Sequence, residues 1–155
     1  MSPEQPAAEV GDTANQSPEA VIRCDRFLPH PPAKVWAALT DPERLARWFT
    51  AGDIKPVVGH RFTLDMQEWG FQPCEVTAVE PERLLAYRFA EDTLDTLITW
   101  RLEPEGRGTR LFLEHAGFDL NSPLGKHAYH GMGEGWPHIL ANLDSKLTAE
   151  AEPDA

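Results

Sequence analysis

Cysteine is scarce: Cys24 and Cys74 are the only two, and neither belongs to a C-x-x-C or Cys/His ligand pattern. A disulfide scaffold and a zinc module are therefore not expected, and the pair reads as buried reduced thiols of a cytoplasmic protein. No apolar run approaches the roughly 20 residues that a membrane-spanning helix needs. A basic segment leading into an apolar one and a cleavage site is also missing, so no secretory signal is read. Positive charge is short: 14 Lys and Arg stand against 25 Asp and Glu, a net charge of −11. That balance repels phosphate backbones and anionic lipid, so neither nucleic acid nor a membrane is an expected partner.

The usual catalytic words are missing too. Without G-x-S-x-G, H-E-x-x-H or G-x-x-x-x-G-K-[ST], a serine hydrolase, a zincin and a P-loop have no support, and no cofactor is expected. His130, Glu134 and His138 fall at i, i+4, i+8, one side of an ideal helix. Pro137 and the glycines around it disturb that helix and no second cluster adds a ligand, so no metal is expected; His127 with His130 is no better. Asp92 and Asp95 read as a solvated turn.

What remains is one domain, since 155 residues suffice for a single core. Residues 1–18, rich in Pro, Glu, Ala, Gln and Ser, read as a disordered acidic leader, 19–148 as the domain and 149–155 as a disordered tail. Much of the acidity lies at the ends, in Glu4, Glu9, Asp12, Glu19, Glu150, Glu152 and Asp154, so the charge says little about a functional surface.

Along the domain the hydrophobic period changes twice. A strand from Val21 to Phe27 is ended by Pro29, Pro31 and Pro32. Two short helices follow, the first with Val35, Trp36 and Leu39 on one face. The second starts at a Thr40–Glu43 capping box with Pro42 in the first turn, and buries Leu45, Trp48 and Phe49. Period two then takes over in Phe62, Leu64, Met66; Cys74, Val76, Ala78; Leu85, Tyr87, Phe89; Thr96, Ile98, Trp100, Leu102; and Thr109 to His115 after the Pro104–Gly108 loop. Beyond Phe118 a long terminal helix carries Trp136, Leu140, Leu143 and Leu147 on one stripe, with a kink or restart expected between Gly133 and Pro137. The order predicts an α+β fold: a curved antiparallel sheet of about six strands gripping one helix.

That order, and the words that fill it, resemble the START/Bet v 1-like helix-grip (SRPBCC) superfamily, which includes polyketide cyclases. Within it, the chain looks most like the branch of the activator of the Hsp90 ATPase. The words are Val35-Trp36, Thr40-Asp41-Pro42-Glu43-Arg44-Leu45, Trp48-Phe49, Val79-Glu80-Pro81 with Leu84, Gly108-Thr109-Arg110-Leu111, His115, Gly117-Phe118, and Gly135-Trp136-Pro137 with Leu140 and Leu143. The chain departs from the family at Val58-Gly59-His60, where a Gly-Gly pair usually opens the second strand. The eukaryotic activator has a separate chaperone-binding N-terminal domain, and no segment of that size precedes Val21 here.

The resemblance implies a cavity between sheet and terminal helix, and hence a binding protein for an apolar or amphipathic small molecule. An Hsp90-type chaperone as partner and a cyclase-like enzyme are its alternatives. The ligand-site candidates are Trp48, Phe49, Met66, Trp69, Phe71, Tyr87, Phe89, Trp100, His115, Met132 and Trp136, with no catalytic residue assigned. The aromatic set serves equally as plain core. His115 reads as a structural histidine before a catalytic base. Gly125, Gly131, Gly133 and Gly135 either loosen the helix as a lid or, the preferred reading, permit close approach to the sheet.

Overall fold

The alternation of period two builds one six-stranded antiparallel sheet, curved, in the order β1-β6-β5-β4-β3-β2. A computed structural model of the chain describes residues 20–151. The expected leader at 1–18 lies outside them. The strands are β1 (Val21–Leu28), β2 (Arg61–Asp65), β3 (Phe71–Glu80), β4 (Leu84–Phe89), β5 (Thr96–Glu105) and β6 (Gly108–Ala116). Five successive strands joined by short turns form a meander. The first strand closes it from the far side, pairing Ile22 with His115 and Leu28 with Thr109. The β5–β6 hairpin turns on Gly106, at φ +60°, a backbone shape that glycine adopts without a Cβ clash.

Paired residues of antiparallel strands face the same side. Leu85, Tyr87 and Phe89 of β4, Ile98, Trp100 and Leu102 of β5, and Leu111, Leu113 and His115 of β6 therefore share the concave face and are buried. In β3 the alternation slips, because a bulge between Val76 and Ala78 adds one residue. Past the bulge Val79, rather than Ala78, packs with the core cluster.

Between β1 and β2 lie α1 (Pro32–Thr40) and α2 (Pro42–Trp48), each opening on a proline whose missing N–H costs nothing in a first turn. The cap of α2 is Asp41 and not Thr40: the Asp41 carboxylate accepts from the Glu43 amide at 3.1 Å. Thr40 still belongs to the last turn of α1, where its hydroxyl donates to the Trp36 carbonyl at 2.8 Å. Helices this short are marginal alone, so tertiary packing holds them. Val35, Leu39, Leu45 and Trp48 supply it.

The terminal helix α3 (Pro123–Ala151) fills the concave face with Trp136, Leu140, Leu143 and Leu147. It runs on through Pro137 as one element, so the expected restart does not occur. It also extends past 148, where a tail was expected, because Glu150 pairs with Arg44 at 2.9 Å and Arg47 at 3.0 Å on α2. Arg26 of β1 holds Asp144 at 3.0 Å, and the Asn142 side chain donates to the Trp48 carbonyl at 2.9 Å. α3 is thus tied to β1 and α2, on one side of the bowl. Among the described residues, no helix is long and apolar enough to cross a membrane.

Candidate functional site

On the other side of the bowl a cleft runs between α3 and the β2–β4 half of the sheet. Its larger lobe, about 400 Å³, lies beside the first half of α3. Leu124, His127, Ala128, Gly131 and Met132 form the helical wall, faced by Met66, Trp69, Gln72, Phe89, Thr93 and Leu94. A smaller lobe of about 180 Å³ continues toward Phe49 and Ile139, bounded also by Ile98, His115, Gly135 and Trp136. Met66, Phe89, Gly131 and Met132 border both lobes and mark the waist between them.

Two turns hold the outer wall. The β2–β3 connection is a 3₁₀ turn, Gln67–Trp69, fixed by the Gln67 amide donating to the Asp65 carboxylate at 3.0 Å. It lifts Trp69, which is 56% exposed, to the rim, with its ring 5.9 Å from that of His127 on α3. The β4–β5 turn carries Thr93 and Leu94 and has left-handed φ at Ala90 (58°) and Asp95 (50°). Arg88 braces that turn by reaching Glu91 at 3.1 Å and Asp95 at 2.8 Å. Gln72, between the turns, donates to the Trp69 carbonyl at 2.7 Å.

The smaller lobe ends on a buried polar chain. The Trp136 indole N–H donates to His115 Nδ1 at 3.1 Å, and His115 Nε2 lies 2.8 Å from the Thr96 hydroxyl. An indole nitrogen can only donate, so Nδ1 is the acceptor and the imidazole proton sits on Nε2, donating to Thr96. The Thr96 hydroxyl in turn donates to the Phe89 carbonyl at 3.4 Å. Burial pushes the His115 pKa down to about 3, which keeps the ring neutral. Both nitrogens are engaged, so His115 contributes a ring edge to the lobe and no free base.

Of the candidate residues, Phe49, Met66, Trp69, Phe89, His115, Met132 and Trp136 come together on the cleft. The other four do not. Trp48 is buried under α1, its indole donating to the Ala38 carbonyl at 2.8 Å. Tyr87 and Trp100 are in the core behind the cleft, where the Trp100 indole donates to the Tyr87 hydroxyl at 3.2 Å and burial pushes the Tyr87 pKa up. Phe71 is 68% exposed, because it pairs with Asp65 on the convex face.

Composition gave no hint of Gln72, Thr93, Leu94, Leu124, His127, Ala128 or Ile139. Only Gln72 carried a signal, sharing the parity of Cys74 in β3. His130, Glu134 and His138 lie on the exposed face of α3. Among the described residues, no group of three or more His, Cys, Asp or Glu converges on a possible metal site.

The glycines of α3 divide by position. A Cβ on Gly125 would collide with the Asp119 backbone, so there the chain does approach closely. At Gly131 and Gly135 nothing lies within 4 Å of such a Cβ, so close approach to the sheet does not explain them. Both border the cleft, and their missing side chains widen it.

Sheet, gripped helix and the apolar cleft between them define a protein of the helix-grip class. The family model described as Activator of Hsp90 ATPase homolog 1-like protein matches residues 29–148, and the chain belongs to that family. Among solved structures, MLL2253 from Mesorhizobium loti is 35% identical with a TM-score of 0.74, the match covering 85% of this chain and 98% of that one. CalU16 from Micromonospora echinospora is 30% identical with a TM-score of 0.67, over 84% of this chain and 77% of that one. DynU16, from the dynemicin biosynthetic locus, is 25% identical with a TM-score of 0.73, over 84% of this chain and 48% of that one. No curated protein matches the chain.

Two outcomes follow from this geometry. Because glycine costs about 1 kcal/mol against alanine inside a helix, Gly131→Ala and Gly135→Ala are each expected to raise stability by up to about that amount in urea denaturation. A loss of stability would mean that the space beside them is filled. The His115 ring should show the neutral Nε2–H tautomer in nitrogen-detected NMR throughout pH 8 to pH 4. Its pKa of about 3 lies below the unfolded value, so its contribution to stability is complete above pH 6.5 and declines as the pH falls toward 3. The decline should be at most about 1.4 kcal/mol per pH unit and weaker in His115→Asn.

Proposed function

We propose that this protein binds an apolar or amphipathic small molecule in the cleft between the sheet and α3. The observation that carries the reading is a two-lobed cleft walled by Phe49, Met66, Trp69, Phe89, Met132 and Trp136, and widened by glycine where the helix would gain from alanine. Lobes of about 400 and 180 Å³ suit a drug-sized ligand. Trp48, Tyr87 and Trp100 support the walls from behind. The similarity to DynU16, a protein of the dynemicin biosynthetic locus, sets the reading in a context of small-molecule chemistry.

The reading is one of binding before turnover. His115, the titratable side chain on the smaller lobe, is neutral and has both nitrogens engaged. Burial also pushes the Cys74 thiol up to about 12, which leaves it without nucleophilic thiolate. The family description favours a second reading, regulation of an Hsp90-type chaperone through an outer surface.

An amide NMR titration separates the two, using lipids, aromatic polyketide-like compounds and an Hsp90 middle domain as ligands. Small molecules are expected to shift Phe89, Ile98 and residues 124–139, and Gly131→Leu to weaken that binding at least tenfold without unfolding the protein. Shifts confined to surface positions, and produced only by the chaperone domain, would overturn the small-molecule reading.

A further inference from the structure

The two lobes differ in the hydrogen-bonding groups they leave for a guest. In the smaller lobe the polar side chains are His115 and Trp136, and these are engaged with each other and with Thr96. Pro137 has no N–H to offer the carbonyl of Gly133, but Gly133 borders neither lobe. A hydroxyl or carboxylate pushed to that end meets apolar walls and two polar side chains already engaged, and finds no side-chain partner there. The larger lobe is different. Thr93 makes only a long 3.4 Å contact with the Gln72 Oε1, Gln72 keeps a second amide N–H beyond the one it gives to Trp69, and His127 stands at the rim.

Building on the binding function proposed above, we infer that the cleft selects single-headed ligands. An apolar body passes the waist between Met66 and Met132 and fills the smaller lobe, while the one oxygen-bearing polar end stays beside Gln72, Thr93 and His127. Molecules polar at both ends are rejected, because whichever way they enter, one end meets the closed His115–Trp136 pair. Met66 and Met132 suit the waist, since an unbranched thioether chain adapts to the cross-section passing it.

Two neutral probes of the same length test this on the full chain: 4-phenylphenol, with one hydroxyl, and 4,4′-dihydroxybiphenyl, with a hydroxyl at each end. Calorimetry is expected to give 4-phenylphenol at least tenfold the affinity of the diol, in keeping with the cost of a buried polar group that finds no partner. Its unsubstituted ring should show NOEs to the methyl groups of Ile98 and Ile139. Gly135→Leu, which fills the smaller lobe, should weaken 4-phenylphenol tenfold and leave phenol, held in the larger lobe, unchanged. Equal affinity for the two biphenyls, or NOEs from the hydroxyl-bearing ring of 4-phenylphenol to Ile98, would overturn the inferred polarity while leaving the binding function standing. Absence of binding by both biphenyls and by phenol would overturn the binding function as well.

Discussion

The hydrogen bond from the Trp136 indole to His115 Nδ1 joins α3 to the sheet, and the form of the cleft depends on it. It places the indole 5.3 Å from the ring of Phe49 and 5.6 Å from that of Trp100, so one side chain links the helix, the second short helix and the concave face. It also fixes the imidazole tautomer, and through it the direction of the Thr96 hydroxyl. In a buried setting such a chain is worth having only when every member is partnered, as here. The consequence for function is negative and useful: the two polar side chains at the floor of an otherwise apolar lobe are closed in chemistry.

Around that anchor the attachments of α3 are one-sided. Asp144, Asn142 and Glu150 tie it to β1 and α2, and Tyr129 packs on Phe118 with ring centroids 5.5 Å apart. On the opposite flank, among Leu124, His127 and Met132, the helix places Ala128, Gly131 and Gly135, which are too small to reach the sheet. The gap is therefore built into the sequence of the helix. Helical stability is forgone where it would fill the cleft, and rigidity is supplied from the other side. The braced β4–β5 turn and the 3₁₀ turn bearing Trp69 give the gap its outer wall.

Much of this architecture was legible in the residues. Period two located the strands, and the stripe from Trp136 to Leu147 located the buried face of α3. Proline at a first turn located both short helices. Errors came where one local cue competed with another. Thr40 was expected to cap α2, but it remains in the helix before it, and Asp41 takes the role. In β3 the bulge exchanged Ala78 for Val79, which no alternation could announce. The site was read less well, because aromatic content cannot separate wall from core: Tyr87 and Phe89 share strand and parity, yet only Phe89 reaches the cleft. Gln72, Thr93 and His127 meet only through turn geometry and the tilt of a helix, and neither is written in hydrophobic spacing.

Everything proposed for function requires that the space beside Gly131 and Gly135 be an open, apolar and ligand-sized cleft. A crystal structure of the protein under xenon pressure tests it most directly, because xenon occupies empty apolar cavities without needing a polar contact. Xenon is expected in the smaller lobe, between Ile98 and Gly135, and at the waist between Met66 and Met132. A crystal in which the side chains of Met66, Met132 and Phe49 have closed over both lobes, leaving no xenon site along α3, would contradict it.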